Sequence, residues 1–505
     1  MGKSEVLPAM EQEASAPREV MTSASLPQGV LLAFYGDDFT GSTDAMEALA
    51  KSGVKTVLFL EPPTPELLVE RFPHVECVGV AGISRSLSPE AMEQELIPVF
   101  EALHKLKPRM VHYKVCSTFD SSPQTGSIGK AIELGLAVFG ERRFVPVLAG
   151  VPVLGRYTVF GHHFAYSMGD VHRLDRHPVM SRHPVTPMAE ADLRLHLAKQ
   201  TDKRLGHLSV LDLQSKELTT VQQRLESVLN TGSRVVLFDV IDDAMQLRIG
   251  ELLWHEAMRE EEGSGQNPEA PPLFAAGSSG VEYALAGYWK EQGLIAPAPP
   301  APAAAGKGDF SGQNPQPLLV LSGSCSPVTE GQIHYALDHG FIGLRAPVLQ
   351  LADTDTSVAE EVESRLMDQA AEALRTGRNV IIYTSLGPQD DTIPLLKQQL
   401  ADAGIEPSES GKLLGSRLGR MARKLIGLCQ LRRLLVAGGD TSGYLIQELG
   451  IMAMELQAPL VPGGPLCKVY AEDEALNGLE LCLKGGQVGP PDFFVKVMEE
   501  RTIGP

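Results

Sequence analysis

Residues 36–44 read Gly-Asp-Asp-Phe-Thr-Gly-Ser-Thr-Asp and directly follow an apolar run at residues 30–35. Two adjacent carboxylates, Asp37 and Asp38, at the carboxyl end of a buried strand are costly to leave unpaired. They can accept a proton from a polyol hydroxyl or hold a metal. The plainer use is helix capping, but Thr43 and Asp44 suffice for that, Asp44 forming a capping box with Glu47. Two cations follow later apolar runs: Arg85 in Ser-Arg-Ser, residues 84–86, and Lys114 at the head of Lys-Val-Cys-Ser-Thr, residues 114–118. Each needs an anion. A bound carboxylate would serve, gripped by the arginine fork; so would an internal ion pair with Asp37 or Asp38.

The second half repeats a different unit, an apolar strand, a Gly/Ser loop and a helix. It occurs at residues 272–280, 318–329 and 433–443, and more loosely at 379–385. Small residues between a parallel strand and a helix present several backbone N–H groups at a positive helix end, which suits phosphate. Glycines that only permit tight turns would look similar, but three such loops in one domain favour an anion site. The P-loop signature is absent, as are the Gly-x-Gly-x-x-Gly dinucleotide fingerprint, the protein-kinase set and the Gly-x-Ser-x-Gly elbow. His162, His163, His172, His177 and His183 fall in an Arg-rich stretch, residues 155–188, without a helical i, i+4 pair. That stretch reads as a long ordered loop lining or closing a site, not as a metal centre.

The elements that must position these groups alternate strand and helix from residue 30 onward. The rhythm predicts an α/β fold of two domains, each a mainly parallel sheet flanked by helices. The expected division is a disordered tail at 1–28, a first domain at 29–260, a linker at 261–272 and a second domain at 273–500. An Ala/Pro-rich flexible insertion interrupts the second at 296–317.

The formal net charge is −19, with 44 basic against 63 acidic residues. Sequence-independent binding to nucleic acid or an anionic membrane needs clustered Lys and Arg and is disfavoured. Six scattered cysteines include no Cys-x-x-Cys pair or zinc spacing, which points to a reducing compartment. The polar N-terminus lacks a signal-like apolar core, and no run is long enough to span a bilayer. A cytoplasmic location is expected. A homo-oligomer stays open.

In order, the chain carries Gly-Asp-Asp-Phe-Thr-Gly at 36–41, Ser-Arg-Ser at 84–86, and Lys114 with Ser117 and Thr118. Ser-Gly-Ser-Cys-Ser-Pro-Val-Thr at 322–329, Gly-Gly-Asp-Thr-Ser at 438–442 and Leu-Lys-Gly-Gly-Gln-Val-Gly at 483–489 follow. This ordered set resembles the four-carbon acid sugar kinase family from about residue 31 to residue 494. The resemblance implies a sugar-acid domain followed by an ATP domain. It also implies Mg²⁺-ATP-dependent phosphorylation of a terminal hydroxyl of D-threonate, D-erythronate, a 3-oxotetronate or an analogue. By motif position, Asp37, Asp38, Arg85, Lys114, Val115, Cys116 and Ser117 would contact the acid. Ser278, Gly438, Gly439, Asp440, Thr441 and Gly485 would lie against ATP. Asp38 is the first choice to orient or deprotonate the hydroxyl, and Asp440 is the alternative or a metal ligand. Lys484 would neutralise phosphate charge or merely sit in a turn. The family commonly has Asp and Arg where this chain has Cys116 and Asp120, a change on the substrate side. The wording at 36–44 is most similar to the branch of 3-oxo-isoapionate kinases. A non-catalytic nucleotide- or sugar-acid-binding regulator on the same scaffold is the alternative from another class.

Overall fold

The structure is a computed structural model describing residues 26–167, 169–182, 185–259, 271–295, 316–406 and 409–500, with the backbone alone described at Asp440 and Thr441. Most of the expected tail, linker and insertion lies outside the described residues, as does His183.

The strands of the first half are β1 (Leu32–Gly36), β2 (Thr56–Phe59), β3 (Cys77–Ala81), β4 (Met110–Lys114), β5 (Val145–Leu148), β6 (Arg156–Val159), β7 (His162–Ser167), β8 (Asp170–Arg173), β9 (Leu205–Leu208), β10 (Val235–Phe238) and β11 (Leu273–Gly277). Those of the second are β12 (Leu319–Ser322), β13 (Ile342–Arg345), β14 (Val380–Tyr383), β15 (Arg433–Ala437), β16 (Ile451–Val461), β17 (Gly464–Ala471) and β18 (Glu480–Lys484). Fifteen of them form one sheet, in the order β13-β14-β12-β15-β18-β17-β16-β2-β3-β1-β4-β11-β5-β10-β9. Both ends of the sheet are parallel. The β16–β17 hairpin, which strand–helix alternation did not predict, joins them antiparallel through Ala453↔Phe59 and Met454↔Leu58. β1, β3, β4 and β11 are buried along their whole length, as parallel strands covered on both faces should be.

Three expectations are corrected. The strand at 273–277 does not open the second domain: β11 lies parallel between β4 and β5 of the first sheet half. Its run of small and apolar residues lies between β4 and β5, and an apolar run alone does not say which strands it joins. The first helix is Phe39–Lys51, and its N-cap is Asp38, whose Oδ1 accepts from the Gly41 amide at 2.7 Å. Asp44 lies inside that helix, so there is no Asp44–Glu47 capping box. The stretch at 155–188 is not a loop throughout. β6, β7 and β8 form an antiparallel sheet whose strands are too short and too rich in His and Arg for their alternation to stand out.

The core fixes the geometry of the site. Tyr35 of β1 stacks on Tyr113 of β4 at 6.0 Å, and Phe100 stands edge-on to both. Tyr113 also shares a 2.9 Å hydrogen bond with Ser84. The carboxyl ends of β1, β3 and β4 are thereby locked side by side, which is where an open α/β sheet binds its ligands.

Candidate active site

Asp37 follows β1 directly, and its amide donates to the Lys114 carbonyl at 2.8 Å. Its buried carboxylate receives Arg85 through Nη2 at 3.0 Å and Nε at 3.3 Å. Arg85 Nη1 lies 2.8 Å from Asp38 Oδ2. One guanidinium therefore ties together two adjacent carboxylates, and the internal ion pair left open by the sequence is formed with both. Burial raises the Asp37 carboxyl to about 6 despite Arg85. Asp38 keeps one oxygen on the helix amide and one on Arg85, yet its side chain is 19% exposed and faces the site.

Lys114 ends β4 with its side chain buried, and among the described residues it forms no ion pair. A Cβ on Gly41 would stand 2.6 Å from Lys114 Nζ and 2.5 Å from Asp38 Oδ1. The glycine thus leaves the ammonium and the carboxylate room on the same side of the helix start. Beneath them Asp44 is buried, and that burial pushes its carboxyl up, partly offset by Lys114.

The 116–121 turn forms the far wall. Cys116 Sγ is 3.0 Å from Thr118 Oγ1, which donates to Asp120 Oδ1 at 2.5 Å. Burial raises the Cys116 thiol, so it is no ready nucleophile. Val115 contributes backbone, its amide donating to the Gly277 carbonyl at 2.7 Å. The small β6–β8 sheet covers this turn: His163 Nε2 is 2.8 Å from the Ser117 carbonyl and Nδ1 is 3.0 Å from Thr158 Oγ1. Its burial lowers the imidazole to about 4, so it is neutral near pH 7.

At the other sheet half, the loops after β12, β15 and β18 lie on neighbouring strands. A Cβ on Gly486 would meet Ser324 Oγ at 2.8 Å, and one on Gly438 would come 3.7 Å from the Ser324 amide. Around a Cβ on Gly439 nothing lies within 4 Å. Among the described residues, the amides of Ser324, Cys325 and Gly439 donate to no acceptor. Open space faced by free amides is what phosphate oxygens require. The side chains of Asp440 and Thr441 lie outside what is described.

The two halves meet at the helix Phe39–Lys51. A Cβ on Gly443 would be 3.1 Å from the Phe39 ring, and one on Gly485 would be 3.4 Å from Thr40 Cγ2. The Gly463 amide donates to Glu47 at 3.1 Å. The acid-side carboxylates and the glycine loops thus flank one helix start.

Residues 32–285 match the sugar-binding N-terminal domain family and residues 319–494 the nucleotide-binding C-terminal domain family. A 3-oxo-isoapionate kinase from Paraburkholderia graminis is 43% identical over 97% of this chain and 99% of its own. The chain belongs to the four-carbon acid sugar kinase family. A 3-oxo-tetronate kinase from Cupriavidus necator is 30% identical, covering 95% of this chain and 99% of its own. A solved Salmonella typhimurium structure shares the fold at TM-score 0.70 and 23% identity, covering 93% of this chain and 98% of its own. A Haemophilus influenzae structure does so at 0.64 and 22%, covering 92% and 98%. The chain is accordingly a phosphotransferase, and kinase relatives imply ATP as the donor. Among the described residues no helix is long and apolar enough to cross a membrane.

In this sugar acid kinase the structure brings together Asp37, Asp38, Arg85, Lys114, Val115, Cys116 and Ser117, and separately Gly438, Gly439 and Gly485. Ser278 lies nearer the first group: it directly follows β11, whose last residue Gly277 pairs with Lys114, and its hydroxyl accepts from the Gly280 amide at 3.0 Å. Lys484 points inward, buried, donating to Thr329 Oγ1 at 2.9 Å and Gln332 Oε1 at 2.7 Å. It does not present its charge to the loops as a phosphate lysine would. Sequence reasoning did not single out Thr40 or Gly126, and it named His163 only as part of a stretch lining or closing a site. Gly126 has φ +59, and a Cβ there would strike the Arg85 carbonyl at 2.4 Å. Thr40 had a signal, its place inside the Asp-Asp-Phe-Thr-Gly run, but nothing in the sequence says which neighbour it meets.

Proposed function

We propose that this protein transfers the γ-phosphoryl group of ATP to a terminal hydroxyl of a short 3-oxo sugar acid, with 3-oxo-isoapionate as first substrate. The observation that carries the substrate is the 43% identity, over nearly the whole of both chains, to a kinase of that name. Support for the chemistry comes from the two flanks of the Phe39–Lys51 helix, one carrying carboxylates and cations, the other free amides.

In this reading Lys114, the cation without an ion pair among the described residues, receives the substrate carboxylate, assisted by Arg85. Asp38 orients the acceptor hydroxyl and takes its proton. The loops after β12, β15 and β18 hold the phosphates, with Gly438, Gly439, Thr441 and Gly485 against the nucleotide and Ser278 closing the acid side. Phosphoryl transfer asks the protein mainly for this positioning and charge stabilisation. Buried Ser322 Oγ has no hydrogen-bond partner among the described residues and so fits a metal arriving on the phosphates, with Asp440, by residue type and place in sequence alone, as the second candidate ligand. Mg²⁺ bound there would neutralise phosphate charge. The cytoplasm, where ATP is supplied, is the proposed location. Division into an acid-binding unit ending after the helix Gly280–Glu291 and a nucleotide-binding unit beginning at β12 follows the sheet pairing.

The test is an ATP-consumption assay across four- and five-carbon acids, including 3-oxo-isoapionate, 3-oxotetronate, D-threonate and D-erythronate. Turnover should require an acid and be fastest with 3-oxo-isoapionate. A preference for a 3-oxotetronate would move the assignment to the branch of the 30% identical relative. Ligand-induced thermal shifts without turnover would support a regulator instead.

A further inference from the structure

Lys484 is among the most deeply buried side chains of the described residues, and among them it pairs with no carboxylate. Its ammonium donates to Thr329 Oγ1 and Gln332 Oε1, both on the helix Pro327–Asp338, and lies 5.8 Å from the Phe494 ring centroid. Each acceptor passes the interaction on. The Thr329 hydroxyl donates to the Gly486 carbonyl at 2.9 Å. Gln332 Nε2 lies 3.0 Å from the carbonyls of Val488, Gly489 and Pro490. Accepting from Lys484 fixes which end of the Gln332 amide is oxygen, so its NH₂ must face the turn.

The consequence lies on the opposite side of the turn. A trans peptide is planar, so a carbonyl turned inward sends the next residue's N–H outward. The inward carbonyls of Gly486 and Val488 therefore aim the amides of Gln487 and Gly489 away from the helix. Neither amide donates to an acceptor among the described residues. Gly489 is needed for this path, since its φ is +89° and a Cβ there would lie 2.9 Å from Phe493 and 3.1 Å from Gln332 Nε2. The same turn touches the first domain through Gly485 and Thr40, and the β12 loop through Gly486 and Ser324.

We propose that Lys484, Thr329 and Gln332 form a positioning unit that holds the 485–490 turn with its amides outward, as a preformed cradle for the phosphates of the nucleotide. This deepens the nucleotide reading given above and rests on it. Lys484 acts through the two side chains it orients, not as a phosphate counter-ion. Its burial, which lowers its pKa to about 7, agrees with a role that does not require a full charge.

The test measures binding of a non-hydrolysable ATP analogue with Mg²⁺ by calorimetry, alongside KM values for ATP and for the sugar acid, in the full-length protein. Thr329→Val and Gln332→Met should each weaken the analogue about fivefold or more, since each removes hydrogen bonds worth about 1 kcal/mol apiece. The sugar-acid KM should stay within about twofold, and Thr329→Ser, which keeps the hydroxyl, should bind like wild type. Lys484→Met should act in the same direction; if it does not fold, the other two variants decide. Wild-type affinity in folded Thr329→Val and Gln332→Met would overturn the positioning role. A loss confined to Lys484→Met would overturn it too, by showing that the lysine meets phosphate directly. Failure of the wild type to bind the analogue would instead overturn the nucleotide reading, and this proposal with it.

Discussion

Arg85 Nη1 meets Asp38 at 2.8 Å on Oδ2, the carboxylate oxygen that the Gly41 amide leaves free. Asp38 is thus helix cap and, in the proposed function, the group that takes the hydroxyl proton, and the two roles can be separated. Asparagine caps a helix about as well as aspartate, but it cannot accept a proton. Asp38→Asn should keep the helix cap and nucleotide affinity, losing only the Arg85 contact where its NH₂ faces another donor, while kcat falls roughly 10²–10⁴-fold. Asp38→Ala should also lose about 1 kcal/mol of stability in denaturant titrations. Near-normal kcat in Asp38→Asn would leave the proton to another group.

Asp37 gives the site an acid limb. Its carboxyl is raised to about 6 by burial, so it loses its charge as pH falls through that value, and the bidentate hold on Arg85 weakens. The sugar-acid kcat/KM should fall below about pH 6, and in Asp37→Asn that limb should flatten at a lowered plateau. The stability sign is opposite to that of an ordinary salt-bridged acid. A folded-state pKa above the unfolded one means that ionising Asp37 costs stability, so its contribution is favourable at low pH and fades as pH rises through about 6. A pH–rate profile of Asp37→Asn that keeps the wild-type limb would assign it elsewhere.

Gly41 separates helix stability from function in the other direction. Alanine is the better helix former by about 1 kcal/mol, yet its Cβ would enter the space of Asp38 Oδ1 and Lys114 Nζ at 2.5 and 2.6 Å. Gly41→Ala should melt close to wild type, the helix gain being offset by the disturbed Asp38 cap, while its sugar-acid KM rises about tenfold, as expected when a charged contact is displaced. An unchanged KM would show that Lys114 does not reach the acid from this position.

The candidate site residues were legible as a group because their types are costly anywhere else. Paired aspartates after a buried strand and an arginine after another need partners, and the structure pairs them with one another; Lys114 lies in the same cluster without an ion pair among the described residues. Element type was likewise readable where apolar runs are long. Pairing was not: the β11 run is as apolar as those of the second domain, and only its neighbours β4 and β5 show where it belongs. The cap was misplaced for a local reason. Asp44 and Glu47 have capping-box spacing, but helical geometry already begins at Phe39, which makes Asp38 the cap and buries Asp44. The covering sheet β6–β8 was illegible as strands because its inward positions include His163 and its strands run four to six residues.

That covering sheet carries an acid-sensitive contact. His163 sits wholly buried between Thr158 and the Ser117 carbonyl, and burial lowers its pKa to about 4; His196, beside Ser121, is lowered to about 4 as well. For a histidine whose folded pKa lies below its unfolded value, the stabilisation is complete above about 6.5 and is lost as pH falls through that value toward about 4. Each such shift is worth roughly 3 kcal/mol at its fullest, so the melting temperature should drop steeply between about pH 6 and 4. His163→Gln can still bond Thr158 or Ser117 but cannot titrate. It should start less stable at pH 7.5 and lose less on acidification, with the 116–121 turn loosened and the sugar-acid KM raised. Parallel pH–melting curves for the variant and the wild type would exclude His163 as the sensitive group.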